Sequence, residues 1–195
     1  MLQFITSTSD KYSIAEEAQM AIEGGCLWIQ VSQSLPDGVT QKEVLQELQP
    51  VCEENEVFLM ADSDVELAKE MRIHGVHLKK DDMKPVEARE LLGPHAVIGV
   101  DADTAADIIA LRGLDIDYAV LDFDDRHSIP SIREIINEVR KEGVEIHIVA
   151  RGRFALSDFS ELKQAGVNGF AVSRQISDTP DPVAATAEIL DAISR

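Results

Sequence analysis

Throughout this chain, charged residues gather directly behind short apolar runs. The run "VFLMA" leads into Asp62 and Asp64, "GVHL" into Lys79, Lys80, Asp81 and Asp82, and "AVIGV" into Asp101 and Asp103. "YAVLDF" carries Asp122 and precedes Asp124 and Asp125, while Arg151 and Arg153 follow "EIHIVA" and Arg174 follows "GFAVS". Carboxylates on neighbouring runs suit a hard divalent cation. Mg²⁺ takes one or two of them and fills its octahedron with water and phosphate oxygens, which makes Asp62 and Asp82 the candidate metal pair. Guanidinium groups grip phosphate through parallel N–H bonds, so Arg151, Arg153 and Arg174 are candidates for holding a small phosphorylated ligand. Lys79 and Lys80 either temper repulsion among the acids or contact that ligand.

Plainer readings stand beside these. An Asp at the end of a strand commonly caps the next helix, which suits Asp62, Asp64, Asp101 and Asp103. Surface arginines in an acidic protein can be weak salt-bridge partners. His77 lies within an apolar run between Val76 and Leu78, as consistent with a hydrogen-bonded core imidazole as with a site residue, and His147 reads the same way. Neither has a Ser or Cys partner in a nucleophile turn, and there is no G-x-G-x-x-G or Walker loop.

The elements that must position these residues are legible from periodicity. Eight short apolar runs, "LQFIT", "CLWIQVS", "VFLMA", "GVHL", "AVIGV", "YAVLDF", "EIHIVA" and "GFAVS", read as strands covered on both faces. Helix signals alternate with them. Ser13 with Glu16, Thr40 with Glu43 and Ser63 with Glu66 have capping-box spacing, and Gly24, Gly113, Gly143 and Gly166 stand where left-handed caps are expected. Ile132, Ile135, Ile136 and Val139 form one apolar stripe. Asp181 and Pro182 open a last helix expected to face inward through Val183, Ala187, Leu190 and Ile193. Strict alternation implies parallel strands, and eight units close a (β/α)₈ TIM barrel spanning residues 1–195 as one α/β domain. An open doubly wound sheet is the alternative. In a barrel all strand C-termini share one rim, so the charged clusters meet there, with the seventh and eighth turns in the usual phosphate position.

Composition excludes several partners. A net charge of −18 repels nucleic acid and anionic membrane, and no apolar stretch is long enough to span a bilayer. Aromatic residues are only 5% of the chain, too few for a platform that stacks bases. "MLQFITSTSDK" has neither the basic start nor the apolar core of a secretory signal, so a cytoplasmic location is expected. Cys26 and Cys52 lack metal-ligand spacing and read as small buried hydrophobes. A homo-oligomer remains open.

From Gln30 onward the order "LMADSDVELAKEMRIHGVHLKKDD…AVIGVDADT…DYAVLDF…VARGRF…QAGVNGFAVS" resembles the thiamine-phosphate synthase superfamily, whose other branch contains thiazole tautomerases. The resemblance implies a (β/α)₈ barrel that joins a pyrimidine methyl diphosphate to a thiazole phosphate and releases pyrophosphate with Mg²⁺. It assigns Asp62 and Asp82 to the metal, Gln30 to the first position of a Gln-x-Arg-x-Lys pyrophosphate grip, and Gly152, Val172 and Ser173 to a backbone cradle for the thiazole phosphate.

Other positions depart from that pattern. Ser32 and Ser34 replace the Arg and Lys of the grip, Ala61 an Asn, Lys79-Lys80 a Gly-Gln, and Asp101 a Ser. Asp122-Phe123 replaces Gly-Pro, "DDRHS" shortens a Thr- and Lys-bearing loop, and Arg153 replaces a Gly. One preorganised donor at a developing charge contributes about 3–4 kcal/mol, so losing two cations beside a leaving pyrophosphate is a large change that Lys79, Lys80 or Arg126 would have to offset. Three functions compete: an enzyme of this superfamily, a phosphate-ligand binding or regulatory barrel without the chemistry, and a scaffold whose acidic mouth meets a basic partner.

Overall fold

The structure, a computed structural model, describes residues 1–9, 11–124 and 127–195. Asp125 and Arg126 therefore lie outside the described residues. Among those described, eight parallel strands close a barrel in chain order: β1 (Leu2–Ile5), β2 (Trp28–Val31), β3 (Phe58–Asp62), β4 (Gly75–Leu78), β5 (Val97–Asp101), β6 (Tyr118–Phe123), β7 (His147–Gly152) and β8 (Gly169–Val172). The barrel is sealed where Leu2, Gln3 and Phe4 pair with Phe170, Ala171 and Val172. Around it lie α1 (Ile14–Glu23), α2 (Gln41–Glu54), α3 (Val65–Met71), α4 (Pro85–Leu92), α5 (Ala105–Ala110), α6 (Ile129–Lys141), α7 (Leu156–Ala165), α8 (Arg174–Ser177) and α9 (Pro182–Ser194). The one-turn α8 is absent from the sequence pattern, because four residues are too few to display a helical period.

Side-chain alternation along each strand divides the core in two. Outward residues such as Phe4, Ile29, Leu59, Ile98, Leu121 and Ile148 pack beneath the helices. Inward residues Trp28, Met60, Tyr118, Val120, Val149 and Ala171 fill the barrel. Leu45 and Leu48 of α2 are fully buried, each contributing about 1.5–3 kcal/mol through the apolar surface it removes from water.

Several local expectations hold and others shift. The Ser13/Glu16 and Thr40/Glu43 boxes form. Ser63 does not cap α3: it stands at φ 66, one residue early, and Asp64 accepts from Leu67 N instead. At α5 the cap is Thr104 with Asp107, which leaves Asp101 and Asp103 for other partners. Gly113, Gly143 and Gly166 take positive φ, but Gly24 has φ −74. Gly24 is needed for close approach, since a Cβ there would lie 2.5 Å from Thr186 Cβ on α9. That contact also explains a rotation of α9: it buries Pro182, Thr186, Ile189 and Ile193, leaving Ala187 exposed and Val183 and Leu190 half-buried. His147 is exposed at the start of β7 rather than a core imidazole.

Candidate functional site

Toward the C-terminal rim the inward residues become polar, and they join, with Gln3 and Tyr118 deeper in the barrel, into one chain of contacts. Lys79 Nζ lies 2.8 Å from Asp62 Oδ2. Gln30 Nε2 donates to Asp62 Oδ1 at 3.4 Å, and Gln3 Nε2 donates to Gln30 Oε1 at 2.9 Å and to the Tyr118 hydroxyl at 3.4 Å. That hydroxyl is 3.5 Å from His77 Nδ1, and His77 Nε2 is 2.8 Å from Asp101 Oδ1. The same Asp101 oxygen takes Arg151 Nη1 at 2.8 Å, while Arg151 Nε and Nη2 donate to Asp122 Oδ1 and Oδ2 at 2.6 and 3.0 Å. Register explains the assembly, for Asp62 lies opposite His77 and Asp122 opposite Arg151 on adjacent strands. Paired buried polar groups of this kind hold one another in place, and each would be costly alone.

The network sets the ionisation of its members. Burial opposes charge on Asp101, but the His77 hydrogen bond and the positive groups His77 and Arg151 outweigh it and hold the carboxyl near a pKa of about 2. Burial also works against the Arg151 cation, yet its bond to Asp122 and the charges of Asp101 and Asp122 raise its pKa. Tyr118 is raised chiefly by burial and stays a neutral phenol.

The sequence candidates therefore divide. His77, 1% exposed, is a bonded member of the barrel interior. Lys80 turns to Asp103 and Asp107 at 2.6 and 3.3 Å, away from Asp62. Asp82 Oδ2 accepts from the Lys79 backbone N at 2.7 Å, and Asp82 N returns to Lys79 O at 3.2 Å, closing a tight turn. Asp62 and Asp82 thus flank Lys79, one at its ammonium and one at its amide. Among the described residues no group of three or more His, Cys, Asp or Glu is placed to hold a metal. Two carboxylates can suffice for Mg²⁺ when water and phosphate oxygens complete its shell, and Asp62 would be open to that ion only with the Lys79 ammonium moved away.

Beyond β7 and β8 the rim opens into a cavity of about 380 Å³ lined by Arg151, Gly152, Arg153, Val172, Ser173 and Arg174, among others. Arg153 is 72% exposed, with Asp178 at 4.0 Å, and Arg174 is exposed on the first turn of α8. Gly152 is required here, since a Cβ would lie 2.4 Å from Phe123 O on β6. Two residues outside the sequence reading shape this rim. Gln175 accepts from Phe154 N and donates to Phe154 O, both at 2.8 Å, tying α8 to the turn after β7. Gln41 Nε2 donates to Val31 O and Asp62 O at 2.8 and 3.0 Å, fixing the ends of β2 and β3.

Gln3 and Tyr118 also escaped the sequence reading, although a Gln inside "LQFIT" is itself a signal that part of the barrel interior is polar. Glu17 is another. It is fully buried on α1, Ser7 N and Oγ reach its Oε2 at 3.4 Å, and its Oε1 has no hydrogen-bond partner among the described residues. Burial raises its pKa to about 7 against the opposing bonds from Ser7 and Ser9. A larger apolar cavity of about 510 Å³ lies at the opposite end of the barrel, lined by Leu27, Trp28, Phe58, Val97, Tyr118 and Val149, among others. Strand C-termini carry the chemistry in this architecture, so the polar rim, not that cavity, is the candidate site.

Comparison with known proteins gives the family and the fold. The family model described as "Thiamine monophosphate synthase" matches residues 2–176. A thiamine-phosphate synthase of Bacteroides fragilis is 35% identical over 200 residues, covering 97% of this chain and 98% of the relative. One from Streptococcus suis is 31% identical over 208 residues, covering 99% and 90%. Among solved structures, a thiamine phosphate pyrophosphorylase from Pyrococcus furiosus superposes with a TM-score of 0.83 at 24% identity, covering 99% of this chain and 95% of that one. At this identity the superposition speaks for the fold alone. Among the described residues no helix is long and apolar enough to cross a membrane.

Proposed function

Because the chain belongs to the thiamine monophosphate synthase family of thiamine biosynthesis, we propose that its rim binds a phosphorylated thiazole-type ligand through Gly152, Arg153, Val172, Ser173 and Arg174. The observation that carries this reading is the cavity between the β7 and β8 turns, which Arg153 and Arg174 line beside Arg151. Gly152 lets the backbone approach closely, and the guanidinium groups supply the charge. In the synthase reaction the bond from the pyrimidine methylene to diphosphate breaks as the thiazole is joined, and pyrophosphate leaves with the electron pair. Cations must face that leaving group. Lys79 and Lys80 are the basic residues on the β4 side, in place of the cations missing at Ser32 and Ser34. Mg²⁺ held by Asp62 and Asp82 would neutralise pyrophosphate charge, and Gln30 keeps the Asp62 carboxylate oriented.

A second reading, a barrel that binds the phosphate ligand without turnover, draws on Arg151. Its guanidinium is committed to Asp101 and Asp122 and braces the rim between β5 and β7. Two measurements separate these readings. Thiazole phosphate should raise the melting temperature under either. Pyrophosphate release from the two substrates with Mg²⁺ is expected only of the synthase. A melting temperature unmoved by thiazole phosphate removes both.

A further inference from the structure

We propose that Lys79 is a tethered counter-cation of Asp62, competing with the divalent metal for that carboxylate and making metal entry depend on the lysine moving away. The inference rests on the reading of Asp62 and Asp82 as the metal pair and adds how that site is regulated.

Asp62 is 4% exposed, and a carboxylate so placed needs a positive partner. Its other contacts are neutral: Gln30 Nε2 at Oδ1, and Gln33 N at Oδ2 at 3.3 Å. Lys79 supplies the charge at 2.8 Å. The neighbouring Lys80 is held by Asp103 and Asp107, so it does not share the task. The turn closed by Asp82 fixes the Lys79 backbone between the two carboxylates, which raises the local concentration of its ammonium at Asp62.

An ammonium and a hard cation cannot use the same Asp62 oxygen, because Mg²⁺ bonds oxygen at about 2.0–2.1 Å and brings its own shell. The lysine side chain is 46% exposed on a flexible four-carbon stem, so it can swing into water. An arriving anion would attract the released ammonium. Metal and anion then favour each other's binding through one side chain, and the coupling is reciprocal.

The test titrates Mn²⁺ alone into the full chain by calorimetry at low salt, with thermal unfolding confirming that each variant is folded. Lys79→Met keeps the stem and removes the charge, and it should tighten Mn²⁺ by up to about fivefold, the change a partly exposed ion pair would impose. Lys79→Arg keeps a cation on Asp62 and should bind Mn²⁺ as weakly as the wild type. Lys79→Met with Asp62→Asn should lose the gain. Equal affinities for wild type and Lys79→Met overturn the proposal, as does a gain that survives Asp62→Asn or recurs in Lys79→Arg. If no variant binds Mn²⁺, the metal pair fails together with the gate. If Mn²⁺ binds but ignores Lys79, only the gate fails.

Discussion

His77 Nε2 and Asp101 Oδ1 stand 2.8 Å apart, and that oxygen also receives Arg151 at 2.8 Å. One carboxylate oxygen on β5 thus ties β4 to β7 across the barrel mouth, at a position where the resembled family carries a serine. The pair is structural as well as electrostatic, because His77 is buried and has Tyr118 on its other face.

Asp101→Asn should therefore destabilise the fold by about 2–4 kcal/mol at pH 7, since it removes the carboxylate that the buried His77 ring and the Arg151 guanidinium share. The pH dependence has a definite sign. The Asp101 pKa is depressed to about 2, so its contribution is full above the ordinary carboxylate value and is lost as pH falls through about 2. Urea unfolding of both proteins should give a gap that narrows by about 2 kcal/mol between pH 4 and pH 2. A gap independent of pH over that range would contradict this account.

Glu17 carries the opposite sign. Its pKa is raised to about 7, so the native state holds a proton that the unfolded chain releases near the ordinary value. Stability from this group is full in acid and declines as pH rises through about 7, by about 3 kcal/mol in all. Glu17→Gln should match the wild type at pH 4 and exceed it in thermal stability at pH 8. Equal melting temperatures at pH 8 would show that burial does not hold the proton.

The arginine pair should govern the response to phosphate ligands. At a hundredfold excess over its dissociation constant, a ligand confined to the native state adds about 2.7 kcal/mol of stability. Arg153→Ala with Arg174→Ala should abolish most of the shift produced by thiazole phosphate while leaving the unliganded melting temperature within about 2 °C, because both side chains are exposed and make few contacts. An undiminished shift in differential scanning fluorimetry would move the ligand elsewhere.

Gly152→Ala tests the backbone approach. The new methyl would meet Phe123 O at 2.4 Å, and carbonyl oxygen on an adjacent strand cannot step aside as a flexible side chain would. A loss of about 1–3 kcal/mol is expected in chemical denaturation, with weaker phosphate binding from a displaced turn. Wild-type stability in this variant would mean that β6 and β7 are less closely apposed than described.

Legibility differed from residue to residue. The eight apolar runs yielded the strands, and Asp62, Asp82, Arg153 and Arg174 stood out as candidates because each lies at or within four residues of the end of one. Side-chain commitments were not visible. Arg151 and Arg153 look alike in "ARGRF", yet Arg151 is the last inward residue of β7 and meets Asp101 and Asp122, while Arg153 lies past the end of that strand and stays in solvent. The adjacent lysines of "KKDD" part in the same way, Lys79 to Asp62 and Lys80 to Asp103 and Asp107. Caps shifted by a residue where Ser63 entered the left-handed region, and α9 turned because Gly24 admits it closely.

The sequence by itself determined the alternation of strand and helix, the parallel strands and the ends of them that carry charge. Those follow from periodicity and burial, which act over a few residues and need no knowledge of distant partners. Only the tertiary structure decided which acid meets which base. Gln3, Gln30, Asp62, His77, Asp101 and Arg151 come from six different strands, and their contacts exist only because barrel closure brings those strand ends within hydrogen-bond reach.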